Sequence, residues 1–368
     1  MQVSGSSKPA FPLRAQRLAM TVPPSGTATR IRFRPIFIWA TFFASNEQSH
    51  RHTKTIMLRR ESDNDPKKLF SHLACAGLLG FIACVASVQA ETQVVMLGTG
   101  TPVPDADQSG PSTAVVYNGE AYVFDIGPGA TRSAIVAAQK KGIEALSPTN
   151  IEHLFLTHLH SDHILDYPEL AYTYWWRRND QISVWGPTGL KAMTQGYYDM
   201  VQRDAELRIN GRQPVKDPNG YQYITHEYDQ GGWTVKDGDV TIEAFEVEHG
   251  EITPAFGYRV TTPDKTIVIS GDTTDSEKLV EMSEDADILV HEVICEAGWS
   301  KLPENWQQYH DAAHTRTRDL ARIANEVKPE LLVLTHVLSY SAPREKTLKE
   351  VKALYDGDVT LAEDLDIY

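Results

Sequence analysis

The chain has 368 residues and a formal net charge of −14, which is unevenly distributed. Residues 1–90 hold 12 Lys/Arg and 4 Asp/Glu, so residues 91–368 hold 23 and 45 and carry a net charge of −22. Because proteins bind phosphate backbones through many Lys and Arg side chains, this acidic body argues against a nucleic-acid partner. Of the three cysteines, only Cys295 lies outside an apolar N-terminal stretch, so an intrachain disulfide framework is excluded. We expect Cys295 to be a buried structural thiol.

The first ninety residues differ in composition from the rest of the chain. Residues 1–56 contain Pro, Ser and Arg and one acidic residue, and we interpret them as a wrongly assigned or disordered extension. From Met57 a basic region precedes the apolar run 73–88, and small or β-branched residues end at Ala90. This is the layout of a secretory signal peptide over 57–90. The apolar run is shorter than the about 20 residues of a membrane anchor, which is the alternative. We therefore expect cleavage after Ala90, no stable membrane anchor, and a periplasmic or secreted domain over 91–368.

Short apolar runs alternate with helical patterns throughout that domain. Strands are predicted at 93–97, 114–117, 121–124, 154–156, 182–185, 240–247, 256–260, 266–269, 286–290 and 331–334. Helices are predicted at 130–141, 168–178, 190–203, 313–327 and 348–354, with a polar loop or short hairpin at 205–235. Asn118-Gly119 is a strong hairpin signal between two of the strands. Strands alternating with helices in both halves predict an α/β fold of two mixed sheets packed face to face, with helices outside.

The segment from His158 to His163 concentrates metal-type ligands directly after a buried strand. His158 and His160 are two residues apart, so in extended chain they point the same way and can reach one cation. Asp162 and His163 follow, where the chain should enter a helix, and can reach a second. Imidazole and carboxylate are ligands that suit Zn²⁺. The alternative is an exposed histidine-rich loop without metal.

Three further predicted strands end in a ligand-type residue: His249, Asp272 and His336. A single histidine in a loop is usually polar surface, but four such strand ends in one chain are hard to explain in that way. Ligands at strand ends converge on one edge of a sandwich of sheets. The sequence therefore predicts one common metal site.

The His158–His163 segment resembles the HxHxDH signature of the metallo-β-lactamase fold superfamily, and the order of the later ligands extends this resemblance over nearly all of 91–368. The resemblance implies an αββα sandwich and two zinc ions, with manganese or iron as alternatives. It implies that His158, His160 and His249 hold one ion, that Asp162, His163 and His336 hold the other, and that Asp272 bridges both. Asp125 matches the family's structural aspartate, which braces the ligand loop.

Further segments are similar to the branch that contains tRNase Z and arylsulfatase-like enzymes: Leu97–Thr101, Val184–Leu190, Gly257–Arg259, His291-Glu292, His314-Thr315 and Leu332–His336. Two segments depart from the tRNase Z pattern. Residues 211–220 are short and not basic where tRNase Z has a long arm, and no arginine follows His336 in the tail motif. With the predicted export, these departures favour an arylsulfatase-like member.

The resemblance thus implies an exported dinuclear zinc hydrolase that cleaves sulfate or phosphate esters of small molecules with a hydroxide shared by the two metals. Asp162 would orient or deprotonate that water. His314, held by Glu292, would protonate the leaving group; a purely structural Glu292–His314 pair is the alternative. A tRNase Z-type RNA 3′-processing endonuclease, a lactonase or amide hydrolase, and a non-enzymatic zinc-binding protein remain alternatives. A nucleic-acid partner is not expected, and the sequence does not distinguish a monomer from a homodimer.

Aromatic residues at 174–176 are expected either to form a wall for an aryl group or to pack a helix against the core. Arg177 and Arg178, which follow directly, are expected to be the solvated end of that helix.

Overall fold

The computed structural model describes residues 91–368, which form two β-sheets and the helices that connect their strands. The predicted extension (1–56) and the predicted signal peptide (57–90) lie outside the described residues and stay predictions. Within 91–368 no helix combines the length and the apolar character that crossing a membrane requires.

The first sheet has six strands in sequential order: β1 Gln93–Gly98, β2 Ser112–Tyr117, β3 Glu120–Phe124, β4 His153–Phe155, β5 Ile182–Pro187 and β6 Tyr223–Tyr228. The first three strands are antiparallel, and β3 to β6 are parallel. Four helices belong to this half: α1 Ala130–Lys141, α2 Ser161–Ile164, α3 Tyr167–Tyr172 and α4 Leu190–Ile209. The predicted hairpin is confirmed, because Asn118 and Gly119 join β2 to β3 with φ angles of 51° and 85°.

The second sheet has seven strands: β7 Thr234–Asp237, β8 Val240–His249, β9 Ile252–Thr261, β10 Thr266–Ile269, β11 Ile288–Ile294, β12 Leu331–Leu338 and β13 Val359–Leu361. Strands β7 to β10 are antiparallel, and β10 to β13 are parallel. Its helices are α5 Glu277–Met282, α6 Glu296–Trp299, α7 Glu304–Ala313, α8 Thr317–Val327 and α9 Arg344–Lys352. Both halves thus pass from an antiparallel to a parallel arrangement.

The core consists of three apolar layers, and strand β1 shows how they arise. Val95 and Leu97 face the layer beneath the helices of the first sheet, whereas Val94 and Met96 face the layer between the sheets. This alternation follows from the two-residue period of a strand. A third layer packs α8 against the second sheet. The predicted αββα sandwich of two mixed sheets is confirmed.

Three local predictions are wrong. The helix predicted at 168–178 ends at Tyr172, because Tyr174 takes a left-handed φ of 54° before a short 3₁₀ turn, Trp175–Arg177. The region 205–235, predicted as a loop or short hairpin, contains the end of α4 and strands β6 and β7, which belong to different sheets and form no hairpin. The helix predicted at 313–327 begins only at Thr317, as α8, because α7 ends at Ala313 and His314 is extended.

Candidate metal centre

The loop after β4 carries the first four candidate ligands, and Asp125 holds it in place. Asp125 accepts hydrogen bonds from the Thr157 amide (2.8 Å), the Thr157 hydroxyl (2.8 Å) and His163 Nδ1 (2.7 Å). A side chain on Gly127 would meet the Asp162 carbonyl at 2.3 Å, so glycine permits the loop to pack this closely. His158, Asp162 and His163 are all buried as a result.

The other three candidate ligands come from the second sheet. His249 is the last residue of β8, and Asp272 follows β10 after Gly271. Gly271 has a φ of 62°, and a side chain there would meet the Phe256 carbonyl at 2.7 Å, so glycine sets the direction of Asp272. His336 lies in β12 with a φ of 44°, opposite a register shift between Glu292 and Val293. This bulge takes His336 out of the strand ladder.

The structure brings all seven candidate ligands together. His158, His160, His249 and Asp272 place one ligand atom each within 4.8 Å of one another, and Asp162, His163 and His336 form a second such group. Asp272 Oδ2 lies 3.4 Å from Nε2 of both His163 and His336 and 4.0 Å from Nε2 of both His158 and His249. Asp272 therefore lies between the two groups, where a bridging ligand belongs.

The orientation of the imidazoles fits metal binding. His163 Nδ1 is bonded to Asp125, His249 Nδ1 to the Ala313 carbonyl (2.8 Å), and His158 Nδ1 to the Thr157 hydroxyl (2.9 Å). Such partners orient metal-binding histidines in proteins. The buried Nε2 atoms of His158 and His163 have no hydrogen-bond partner, which is costly unless a further ligand satisfies them. Binding by these seven residues remains a prediction.

Charges within the centre divide the histidines into two kinds. Burial, and next the charge of His163, lower the pKa of His158 well below its usual value, and burial also lowers that of His249. Burial alone would lower the pKa of His163, but Asp272 and Asp125 outweigh it and raise that pKa well above the usual range. Because a histidine must be neutral to bind a metal, His163 would release a proton when an ion enters.

The two predicted catalytic partners Glu292 and His314 lie together at the edge of the centre. Both are buried, and His314 Nδ1 is 3.4 Å from Glu292 Oε2. Glu292 Oε1 accepts from the Thr315 amide at 2.8 Å, which fixes the carboxylate. His314 also offers a nitrogen within 4.8 Å of ligand atoms of Asp272 and His336. Since Nδ1 faces Glu292, Nε2 is the atom left for a substrate.

Asp162, the predicted ligand that would also orient water, lies within the second group. Its Oδ2 is 3.3 Å from His336 Nε2 and 3.4 Å from His163 Nε2. Burial alone would raise the pKa of Asp162, but these two histidines outweigh it and hold the pKa below its usual value. The carboxylate is thus ionised at neutral pH, as either predicted role requires.

In the aromatic segment at 174–176, Trp175 and Trp176 follow the packing alternative, whereas Tyr174 is exposed. Trp175 is fully buried and contacts Tyr172 and Tyr221, and the Arg208 guanidinium lies over the Trp176 ring. The predicted solvated end is wrong for Arg178, which is 1% exposed and donates to the carbonyls of Ile151 and Leu170.

Helix α7 is the part of the site that sequence reasoning missed. The Ala313 carbonyl at its end holds His249, and the buried His310 lies one turn before His314 with a ring-centroid distance of 5.3 Å. The Tyr340 hydroxyl is hydrogen-bonded to His310 Nε2. The signal was available, because His310 precedes His314 by four residues, which is one helical turn.

Fold and site together define a metal-dependent hydrolase of the metallo-β-lactamase fold that acts on ester bonds. The model of the family described as "Beta-lactamase superfamily domain" matches residues 121–337. The chain belongs to this family, in its tRNase Z branch. The chain is 30% identical over 282 residues to a Ribonuclease Z of Mycobacterium bovis (strain BCG / Pasteur 1173P2), covering 74% of this chain and 96% of that protein. It is 31% identical over 279 residues to a Ribonuclease Z of Mycobacterium sp. (strain KMS), covering 74% and 94%.

Solved structures agree on the fold. Human tRNase Z, short form, superposes with a TM-score of 0.52 at 24% identity, covering 75% of this chain and 98% of that one. The metallo-beta-lactamase fold protein YhfI from Bacillus subtilis gives a TM-score of 0.57 at 18% identity, covering 76% and 99%.

These relatives correct one prediction from the sequence. The acidic composition and the missing basic arm argued against a nucleic-acid partner, but the relatives that match nearly end to end are ribonucleases. Net charge was a poor guide because it averages over the whole surface, whereas a substrate contacts only the side chains around the site.

Proposed function

We propose that this protein is a tRNase Z-type endonuclease that hydrolyses a phosphodiester bond near the 3′ end of RNA. The observation that carries the proposal is the similarity over 96% of the length of a Ribonuclease Z in a chain whose seven candidate ligands and Glu292–His314 pair form one cluster. The fold alone would not favour RNA, since one fold hosts many chemistries.

In the proposed reaction the candidate ligands and the Glu292–His314 pair have different roles. Two ions held by the seven ligands, which we propose to be zinc, would supply an activated water and neutralise charge that develops on the phosphate. Asp162 is placed among the ligands where it can orient that water. His314, whose Nδ1 lies 3.4 Å from Glu292 Oε2, can give a proton on Nε2 to the leaving oxygen.

The test is a panel of substrates on purified protein containing residues 91–368. The panel contains precursor tRNA with a 3′ trailer, single-stranded RNA, bis(p-nitrophenyl) phosphate and p-nitrophenyl sulfate. We expect cleavage of RNA with a 3′ extension and an inert sulfate ester. Efficient sulfate hydrolysis with inert RNA would overturn the proposal and restore the arylsulfatase-like prediction.

The proton donor is tested by its dependence on the leaving group. His314→Ala should slow the cleavage of RNA, whose leaving oxygen needs a proton, by about 10²–10⁴-fold. It should slow a nitrophenyl ester less, because that leaving group is stable as an anion. His226→Ala is the matched control, since His226 stacks on Trp185 outside the cluster. Equal losses on both substrates would contradict the acid role without touching the substrate assignment.

A further inference from the structure

Three exposed aromatic side chains lie beside the metal centre, and neither the ligands nor the Glu292–His314 pair accounts for them. Trp306 and Tyr309 on α7 are 50% and 39% exposed, and Tyr340 after β12 is 39% exposed. In residues 91–368 the one other aromatic residue exposed to this degree is Tyr174, at 49%. Exposed apolar surface gathered in one place is typical of a binding site.

A continuous path of ring contacts joins these residues to the centre. The Trp306 ring stacks on His310 with a centroid distance of 5.8 Å, and His310 is 5.3 Å from His314. His314 is in turn 5.8 Å from the candidate ligand His336. Trp306 is therefore two ring contacts away from the candidate proton donor.

Tyr309 and Tyr340 flank the same path. The Tyr309 ring packs edge-on against Trp306 at 5.7 Å. The Tyr309 ring also packs edge-on against His310 with a centroid distance of 5.0 Å, which places it on the same path. Tyr340 is fixed by its hydrogen bond to His310.

The position of α7 relative to the centre is fixed by the backbone. The Ala313 carbonyl accepts from His249 Nδ1 at 2.8 Å, and the Ala312 carbonyl accepts from the Gly250 amide at 2.9 Å. Aromatic residues on a rigid element lose little conformational entropy when a ligand binds, so this helix suits recognition.

A cleft of about 590 Å³ adjoins Tyr340 and brings two basic residues to the same region. Its lining includes Lys301, Arg344 and Gln108, with one acidic residue, Asp105. The Arg344 guanidinium donates to the Ala362 carbonyl and lies near several carboxylates, so Lys301 is the cation left for a ligand. In a body with 23 Lys/Arg against 45 Asp/Glu, a lysine beside an aromatic surface complements a group that has both a flat ring and a negative charge. A nucleotide is such a group.

We infer that Trp306, Tyr309 and Tyr340 form a stacking platform for the nucleobases next to the scissile phosphate, and that Lys301 binds a neighbouring phosphate in the adjoining cleft. The inference rests on the proposed function in taking RNA as the substrate. Such a platform would let an acidic protein hold RNA, because base stacking needs few phosphate contacts.

The experiment compares an RNA with a 3′ extension and the same RNA carrying an abasic ribose at one of the two positions on either side of the cleavage site. For the wild-type enzyme, removal of a stacked base should raise KM by about 5- to 100-fold. Trp306→Ala and Tyr309→Ala should raise KM on the intact RNA by a similar factor. Each variant combined with the abasic RNA should show no larger rise in KM than either change alone, because the variant and the missing base remove the same stacking contact.

Matched variants separate stacking from structural damage. Trp306→Phe keeps a flat ring and should restore most of the lost affinity, whereas Tyr174→Ala removes an equally exposed ring outside the site and should leave KM unchanged. Lys301→Gln should reduce the salt dependence of KM by about one unit of the logarithmic slope.

The outcomes distinguish the two proposals. Cleavage of RNA with the same KM in wild type, Trp306→Ala and Tyr309→Ala would overturn the platform and leave the proposed function standing. Additive effects of the abasic ribose and the variants would also overturn the platform. If wild-type enzyme neither binds the labelled RNA in fluorescence anisotropy nor cleaves it, both proposals fail.

Discussion

Asp125 shows how much of the site depends on a single buried carboxylate. It joins β3 to the ligand loop through three hydrogen bonds, one of which fixes the ring of His163. Asp125 can raise the affinity for a metal without contacting it. A histidine ring that Asp125 already orients loses less rotational freedom when the metal binds.

Asp125→Asn should therefore weaken metal binding by about 10- to 100-fold, since the amide cannot replace all three acceptor contacts. Competition between the protein and a zinc chelator measures this change. Asp237→Asn, which alters the partner of the Tyr122 hydroxyl, is the control. Equal zinc affinity in both variants and wild type would show that the ligand loop holds its shape without Asp125.

His310 gives the protein a calculable pH dependence. Burial, and next the charge of His314, lower its pKa to about 4, against 6.5 for an ordinary histidine. The unfolded chain therefore binds more protons than the folded chain between these values. The associated stability is fully present above pH 6.5 and is lost as the pH falls towards 4.

Replacing His310 by Phe should flatten that profile, because the variant has no proton to take up on unfolding. The difference in unfolding free energy between variant and wild type should change by about 1–3 kcal/mol between pH 7 and pH 4. Urea denaturation at four pH values in this range measures it. Parallel profiles would mean that His310 is protonated equally in both states.

At the scale of elements, the segment between α3 and β5 is held by a buried arginine. The guanidinium of Arg178 donates to the carbonyls of Ile151 (2.9 Å) and Leu170 (3.2 Å) and thereby ties this segment to α3 and to the chain before β4. Burial lowers the pKa of Arg178, but an arginine stays charged in proteins. Two carbonyl acceptors replace part of its lost hydration.

Arg178→Lys should lower the free energy of unfolding by about 1–3 kcal/mol, because a lysine cannot reach both carbonyls with the same geometry and leaves an acceptor unpaired. Urea denaturation of this variant is compared with that of Arg177→Lys. Arg177 is exposed, so the control should stay within about 0.5 kcal/mol of wild type. Equal stability of the two variants would contradict the anchoring role.

At the scale of the whole molecule, the candidate metal centre connects the two sheets. Four of the seven ligands follow β4 in the first sheet, and three come from β8, β10 and β12 in the second. An ion bound by both sets stabilises the folded state by mass action, since the unfolded chain does not hold the ligands together.

Removal of the metal should accordingly lower the melting temperature by about 5–10 °C if the free ion was present at about 100 times its dissociation constant. Elemental analysis before treatment should give two ions per chain. Calorimetry after dialysis against a chelator measures the shift, and readdition of zinc should reverse it. An unchanged melting temperature together with no bound metal would refute the metal centre.

Export remains our proposal for the chain as a whole. The sequence pattern over 57–90 predicts a mature protein that begins at Glu91. N-terminal sequencing of the protein from its native host tests this directly. A mature chain that retains residues 1–56 would refute both the cleavage site and the interpretation of 1–56 as a wrongly assigned extension.

The sequence by itself determined the class of fold and the set of candidate ligands. Strand and helix periods are local properties, and the ligand loop lies in six consecutive residues, so both could be identified without knowing the packing. Asn118-Gly119 and the strand-end positions of His249 and Asp272 follow from the same local rules, whereas His336, predicted just after a strand, lies within β12.

Only the tertiary structure decided how these parts are used. The bulge at His336, the burial of Arg178 and the break between α7 and α8 depend on contacts with residues distant in the sequence, for which local patterns carry no signal. The substrate class showed the same limit, because the total charge of a chain does not specify which side chains surround its site. The aromatic platform beside His314 exists because folding brings Tyr340 to the face of α7.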